Sequence, residues 1–433
     1  MDGTGNYLSH KSGRNQQTTM KLVIDLHVHS KYSRATSKSL DLEALDKSAQ
    51  MKGVKVLGTG DFTHPLWFAQ LEKNLQEAEP GLYKRKESET GTRFVLTCEI
   101  SSVYSKGGKV RRTHTLLFAP SLETVRKINR TLNKVGNLKS DGRPILGLDV
   151  KELTKIALDA SPDCMIVPAH AWTPWFSVFG SKSGFDSLEE CFEELTPHIY
   201  AIETGLSSDP PMNWRVSALD NITLLSNSDC HSAPKILREA NVMDCNLSYY
   251  DIMNVIKTKD KEKFLYTIEF FPQEGKYHYD GHRICKYCVR PDTRESDKCP
   301  KCGRPLTIGV LSRVQDLADR PQGFRPKNAI DYKNLIPLNE IIAEAFGRGP
   351  ATKTVQKEYN KLIESFGTEL EVLLNVSEFE IKKITDDIVA QAIIRMRKGE
   401  VNISPGYDGE YGHISIFKKG EREKINNRQA KIL

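Results

Sequence analysis

Nine side chains able to ligate a metal recur between residues 27 and 231, in small groups along the chain. His27 and His29 stand two apart in Asp25-Leu26-His27-Val28-His29. Asp61 and His64 share Gly60-Asp61-Phe62-Thr63-His64, Glu99 and His114 stand singly, His170 ends Pro168-Ala169-His170, and Asp229 and His231 flank Cys230. Imidazoles mixed with carboxylates suit Zn²⁺, Mn²⁺ or Fe²⁺ and suit Ca²⁺ poorly. A carboxylate such as Glu99 can bridge two ions. Ions about 3.5–4 Å apart activate a water and stabilise the leaving oxygen of an in-line phosphoryl displacement. A single histidine at a strand end is usually structural, but nine ligand-type residues so placed point to a shared metal site.

A second constellation lies further on. Cys285-Lys-Tyr-Cys288 and Cys299-Pro-Lys-Cys302 are two Cys-x-x-Cys knuckles ten residues apart. Four thiolates at this spacing, Cys285, Cys288, Cys299 and Cys302, predict tetrahedral structural zinc. The short segment lacks apolar residues for its own core, so metal binding would supply most of its folding energy. Residues 276–327 hold 12 Lys and Arg against 6 Asp and Glu, which accounts for the whole formal charge of +6. A localised basic stretch suggests an anionic partner such as nucleic acid. Lys286, Arg290, Lys301 and Arg304 are its candidate phosphate contacts, adding affinity without sequence information.

The elements that must position these residues follow from apolar patterning. Short apolar runs at 22–24, 54–57, 94–97, 115–118, 165–168, 199–202 and 223–225 predict strands. Between them, 40–52, 122–135, 150–160 and 187–194 predict helices. Strands alternating with helices imply parallel βα units, and seven of them close more naturally into a barrel than into an open sheet. On a strand, residues two apart point the same way, so His27 and His29 can share an ion. Most of the nine residues fall at the C-terminal strand ends, where α/β barrels gather active sites. No Gly-rich phosphate loop follows any strand, which argues against a dinucleotide fold.

The bulk numbers set limits. A chain of 433 residues, 39% hydrophobic and 27% charged, suggests two or three domains of globular composition. No apolar run approaches the roughly 18 residues of a membrane span, and the polar start shows no secretory signal. With five further cysteines scattered, the expectation is a reduced, intracellular, nucleoid-associated protein in the cytoplasm, without disulfides or membrane contact. Residues 1–20 read as a flexible extension and 418–433 as a charged, frayed tail.

The order of the metal motifs resembles the PHP (polymerase and histidinol phosphatase) superfamily of phosphoesterases. The resemblance implies an α/β fold, a distorted (β/α)7 PHP barrel over 21–275; the cysteine spacing adds a four-cysteine zinc ribbon over 276–308, and the amphipathic stretches beyond it a small, mainly helical C-terminal DNA-binding domain over 309–417. Carried over residue by residue, it implies that His27, His29, Glu99 and Asp229 hold one ion, and Glu99, His114 and His170 a second. His64 and His231 would contribute to a third, with Asp61 beside them. The ions would be two or three of Zn²⁺, Mn²⁺ or Mg²⁺, with His27, His29, Glu99 and Asp229 as the catalytic set. Two departures weaken the third site: Ala35 and Phe62 stand where many members carry histidine.

The stretches Gly58-Thr-Gly-Asp-Phe-Thr-His64-Pro65, Pro168-Ala-His-Ala-Trp-Thr-Pro-Trp175, Cys299-Pro-Lys-Cys-Gly303 and Pro405-Gly-Tyr-Asp-Gly409 further resemble the endonuclease Q family over about residues 20–417. That implies incision of duplex DNA 5′ to a deaminated base (uracil, hypoxanthine, xanthine) or an abasic site, leaving 3′-hydroxyl and 5′-phosphate ends; inspecting such a base requires extruding it from the duplex. A sliding clamp is a further partner the sequence leaves open. Trp172, Trp175 and Phe176 are candidate base-stacking residues, against a plain hydrophobic lid as the alternative. Arg34 is a candidate phosphate contact, and Tyr407 sits at the tip of an expected hairpin around 401–416. Before that hairpin, three amphipathic helices are expected, the last opened by a Ser377/Glu380 capping box and running to about residue 398. A small-molecule phosphatase, an amidohydrolase and a non-catalytic DNA-binding protein with a decayed barrel remain as rival readings.

Overall fold

The computed structural model describes residues 19–422. The expectations for 1–18 and 423–433 lie outside the described residues. Within them the polar start ends early, because Met20 already pairs with Cys245. At the other end, Glu421 is held by Arg395 at 2.8 Å.

The strand Met20–Asp25 lies inside a mixed sheet of eleven strands. From Leu22 to Asp25 it is buried on both faces. Leu22 and Ile24 pack with Val56, Val95, Leu116, Val167, Ala201 and Leu225, drawn from successive strands, while Val23 packs into the outer layer with the helices. Side chains from so many strands meet only because the sheet curls towards itself. Backbone bonds beyond the strand ends support this curvature: His29 N–H donates to Cys230 O (3.1 Å) and Ala171 N–H to Glu203 O (2.9 Å).

The expected run of parallel βα units is only partly realised. Met20–Asp25 is parallel to Val56–Gly58, which is parallel to Arg93–Lys106, and Ala201–Glu203 is parallel to Thr223–Leu225. But Arg93–Lys106 and Lys109–Ala119 form one long antiparallel hairpin, in register from Leu96–Ala119 to Lys106–Lys109. Its turn is Gly107-Gly108, with φ of 60° and 73°. Two residues of positive φ make a tight hairpin, whereas a parallel crossover needs a dozen or more residues. Lys109–Ala119 also runs antiparallel to Met165–Pro168. Ala240–Cys245 and Phe264–Glu269, absent from the expected strands, extend the sheet: the first pairs antiparallel with Met20–Asp25 and the second antiparallel with the first.

The helix expected at 187–194 is shorter. It spans Leu188–Phe192 and gives way to a 3₁₀ turn, Glu193–His198, where Glu193 has φ 51°. In the C-terminal part, Leu338–Phe346 and Lys353–Phe366 form as expected. The capping box of Ser377 and Glu380 is present, but its helix stops at Ile384. Thr385 is extended and Asp387–Arg397 forms a separate helix. A further short helix, Glu369–Leu374, was not expected; Thr368 caps it. Its Glu369 ties this part to the sheet domain: Lys52 Nζ lies 2.6 Å away, and Tyr359 Oη and Leu338 N–H donate to the same buried carboxylate. The hairpin forms between Asn402–Ser404 and His413–Ser415. Its tip is not a free turn, since Gly406 bonds to Gln273 and Tyr279 and its loop packs on the ribbon. Among the described residues no helix is long and apolar enough to cross a membrane.

Candidate metal centre

Strand ends bring the ligand-type residues together. His27 and His29 follow Met20–Asp25, Glu99 and His114 come from the long hairpin, His170 follows Met165–Pro168, and Asp229 lies beyond Thr223–Leu225. His114 is therefore inside a strand, opposite Ser101, rather than at a strand start. Asp61, His170 and Asp229 have φ of 51°, 31° and 44°. Left-handed backbone at residues other than glycine costs about 1–3 kcal/mol each and concentrates at functional sites. Gly205 makes room for this geometry, because a Cβ there would lie 2.5 Å from the Cβ of His170.

Two groups result. His27, His29, Glu99 and Asp229 can bring ligand atoms within 4.8 Å of one another, and so can Glu99, His114 and His170. Glu99 belongs to both through different oxygens. Oε2 faces Nε2 of His27 (3.5 Å) and of His29 (3.3 Å). Oε1 faces Nδ1 of His114 (2.7 Å) and Nε2 of His170 (3.1 Å). One carboxylate presenting each oxygen to a different cluster is bridging geometry.

The other ring nitrogens are tied down. His27 Nδ1 lies 3.0 Å from Glu203 Oε2, and His29 Nδ1 lies 3.1 Å from Asp61 Oδ1. A carboxylate on the far nitrogen fixes the tautomer and turns the other nitrogen inward as a ligand. His27 Nε2, so turned, is buried and has no hydrogen-bond partner. A buried ligand nitrogen without a partner, ringed by carboxylates, fits a cation. Burial by itself would lower the pKa of His27, but Glu203, Asp229 and Glu99 override it and hold it well above the usual value. His29 is raised in the same way, against burial, by Asp229 and Asp61. Burial drives His114 down to about 4, so it is a neutral imidazole available as a ligand.

Not every expected ligand joins. Asp61 is consumed by others: Oδ1 by His29, Oδ2 by Ser30 N–H (2.7 Å), Ser30 Oγ (2.7 Å) and Ser33 Oγ (2.9 Å). Both its oxygens are taken up in this way, and it falls outside the two groups. His64 stacks on Tyr32 with ring centroids 4.4 Å apart, outside both groups. His231 is also outside them. Its Nδ1 bonds to the Asp229 carbonyl (2.9 Å), with its ring 4.7 Å from that of His29.

The thiol set also differs from expectation. The residues gathered are His282, Cys285, Cys299 and Cys302, not the four cysteines. Cys288 is exposed on Tyr287–Val289. It pairs with Gly281 on Asp280–His282, while His282 pairs with Tyr287. Adjacent ladder positions point to opposite faces of a hairpin. His282 and Cys288 therefore cannot serve the same side, and His282 Nδ1 approaches Cys302 Sγ at 3.4 Å.

Among the other candidates, Trp172 is buried at 1% exposure and donates to Asn213 Oδ1 (2.7 Å), which makes it core. Trp175 is 36% exposed and meets Tyr277 edge-on. Phe176 packs its ring 4.8 Å from that of His114. Arg34 pairs with Asp141, and the ring of Tyr407 covers Gly281. Lys286, Arg290, Lys301 and Arg304 are exposed on the ribbon. Lys301 Nζ bonds to Cys285 O, and Arg290 pairs with Asp292.

The chain superposes on the crystal structure of the lesion-specific endonuclease PfuEndoQ of Pyrococcus furiosus with a TM-score of 0.80 and 32% identity, covering 94% of this chain and 99% of that one. The chain belongs to the endonuclease Q family. A second structure of the family, a complex of endonuclease Q with a 27-mer duplex carrying an abasic lesion at the active site, matches at 33% identity and TM-score 0.80 over 94% of this chain and all of that one. Residues 337–400 match the MJ0043 C-terminal domain family. Protein MJ0043 of Methanocaldococcus jannaschii is 36% identical over 254 residues, which are 57% of this chain but 31% of that protein, so the chain spans about a third of it. Protein YqxK of Bacillus subtilis is 28% identical over 414 residues, 91% of this chain and 99% of that one.

Besides His282, two residues around the His27 and His114 groups escaped the sequence reading. Glu203 bonds to His27, to Asn227 Nδ2 (2.9 Å) and to the backbone N–H of His170 (2.9 Å). It directly follows the expected strand at 199–202, as several other site residues follow theirs, and that placement was an available signal. Arg143 Nη1 lies 3.0 Å from Glu99 Oε2. It sits in a loop with no periodicity, and nothing in its sequence context marks it.

Proposed function

We propose that this protein is a metal-dependent endodeoxyribonuclease of DNA repair. It would cut duplex DNA 5′ to uracil, hypoxanthine, xanthine or an abasic site, leaving 3′-hydroxyl and 5′-phosphate ends. The observation that carries this reading is the pair of ligand groups sharing Glu99, in a chain that matches endonuclease Q holding an abasic lesion at its active site.

On this reading residues 21–275 are a distorted (β/α)7 PHP barrel, 276–308 a zinc ribbon and 309–417 a DNA-binding domain. His27, His29, Asp229 and Glu99 would hold one divalent ion, and Glu99, His114 and His170 a second. A two-metal centre of this kind supplies an activated water and charge stabilisation on the leaving oxygen. The chain's own part is orientation. Glu203 and Asp61 keep the Nδ1 protons of His27 and His29, so their Nε2 atoms stay free to ligate. His64 and His231 would serve a third ion only by turning from their present contacts. His282 would act with Cys285, Cys299 and Cys302 on a structural zinc, in place of Cys288. Trp175 and Phe176, not Trp172, would form the wall beside the centre that receives an extruded base. Extrusion costs a few kcal/mol and least for a mispaired or missing base, which supplies part of the selectivity.

The test is nicking of labelled duplexes carrying one uracil, hypoxanthine or abasic site, with Mg²⁺, Mn²⁺ or Zn²⁺ added in turn. A lesion-dependent nick on the 5′ side, lost in His27→Ala and Asp229→Ala, is expected. An absent nick, or one that survives both substitutions, overturns the proposal.

A further inference from the structure

Arg143 contacts the oxygen on which the proposed first ion depends. Its Nη1 lies 3.0 Å from Glu99 Oε2, the oxygen that faces His27 and His29. The Glu99 side chain is fully buried while that of Arg143 is 25% exposed, so of the two partners the guanidinium is the one that reaches solvent.

The loop carrying Arg143 is built into the ligand framework. Asp141 Oδ1 accepts from the backbone N–H of both Arg34 (3.2 Å) and Arg143 (3.1 Å). Gly142 N–H donates to Tyr32 O (3.0 Å), and Ser101 N–H donates to Pro144 O (3.1 Å). Gly142 is pressed so closely on the site that a Cβ there would lie 2.3 Å from Asp61 Oδ2 and from Ser33 Oγ. Arg143 is thus held on both sides by segments that carry ligands. Arg34 is held differently: Nε lies 3.1 Å from Asp141 Oδ2, but its side chain is 76% exposed.

The chemistry decides what such an arginine is for. Once cations occupy both faces of Glu99, its charge is spent on them. The guanidinium then stands among like charges a few ångströms away, which is unfavourable unless an anion lies between. Arginine cannot shed its proton, and its planar fork matches two oxygens of a phosphate. Resting on the nuclease reading above, we propose that Arg143 is a catalytic residue: it leaves Glu99 when the centre is loaded and binds the non-bridging oxygens of the scissile phosphodiester. Arg34, outside the ring of ligands, takes a flanking phosphate and contributes to binding alone.

The experiment uses the full chain and a duplex with one abasic site. Single-turnover rates at saturating protein are measured for wild type, Arg143→Gln, Arg143→Lys and Arg34→Ala. Loss of one preorganised donor to a reacting centre costs about 100-fold or more in rate. Arg143→Gln should fall by that factor while its bound-metal content and its affinity for the intact duplex in EDTA stay within about threefold of wild type, on the same scale. Arg143→Lys should recover part of the rate, and Arg34→Ala should weaken duplex binding, read as a higher protein concentration needed to saturate the reaction. A second readout needs no turnover. Metal-loaded wild type should bind a pre-nicked duplex with a 5′-phosphate at the lesion more tightly than its 5′-hydroxyl twin, and Arg143→Gln should lose that preference. An unchanged rate in Arg143→Gln, a rate loss that tracks lost metal, or a retained phosphate preference overturns the assignment. A wild type that fails to nick any lesion refutes the nuclease reading instead, and the product-binding comparison then still judges Arg143.

Discussion

Glu203→Gln should weaken metal binding at the His27 group by about 10- to 100-fold, the usual cost of losing a partner behind a ligating histidine. The reason lies in counting donors. Glu203 receives His27 Nδ1, Asn227 Nδ2 and the backbone N–H of His170. A glutamine keeps the shape but offers one oxygen and an amide that donates. Asn227 and the His170 backbone cannot give up their protons. His27 can, by moving its proton to Nε2, the nitrogen that faces Glu99 and Asp229. The variant imidazole would then present N–H where an ion must sit. Returning to the ligating tautomer sets two donors against each other, for a loss of about 1.4–2.7 kcal/mol in binding free energy. The assay is competition for Zn²⁺ between metal-stripped protein and a chromophoric chelator, with the ribbon group as internal control. Affinity within about twofold of wild type would refute the reasoning, being well short of that cost. So would an equal loss at the ribbon, because that would mean general unfolding.

Other expectations follow from single contacts. Cys288→Ser should retain the ribbon metal while His282→Ala and Cys302→Ser lose it, read by zinc content and by the thiolate charge-transfer band of the Co²⁺-substituted protein; loss in Cys288→Ser would restore the four-cysteine set. Lys52→Met should destabilise the protein by about 3 kcal/mol, because it strips a buried partner from Glu369, and an unchanged calorimetric midpoint would contradict this. Burial raises Glu269 from its ordinary 4.5 to about 8. Between those values the folded state binds more protons than the unfolded chain, so stability falls as pH rises across that window. Glu269→Gln should therefore raise the melting temperature at pH 8 more than at pH 5, and equal shifts at both pH values would show that the carboxyl does not titrate in this way.

The candidate metal centre was largely legible because its residues are chemically conspicuous and most of them follow apolar runs. His27, His29, Glu99, His114, His170 and Asp229 all fall in the two groups. Asp61 was legible as a site residue but not in its role, since ligand and orienting carboxylate are the same residue type. Only the contacts of Ser30, Ser33 and His29 distinguish them. Trp172 failed as a base contact for a related reason: loop sequence does not say which aromatic faces inward, and Asn213 draws its indole into the core. The long hairpin was missed although Lys106-Gly107-Gly108-Lys109 is a two-residue turn signal, because the apolar runs on either side read equally well as separate parallel strands.

What the sequence by itself determined is therefore the inventory: the residue types, their strand-end spacing, the basic ribbon and the amphipathic helices. Each depends on neighbours a few positions away, through periodicity and turn chemistry. What only the tertiary structure decided is partnership. Glu203 reaches His27 across 176 positions, Arg143 reaches Glu99 across 44, and His282 displaces Cys288 through a one-residue alternation in a short hairpin. Such contacts depend on how the curved sheet brings strand ends together in space, and local spacing carries no record of that closure.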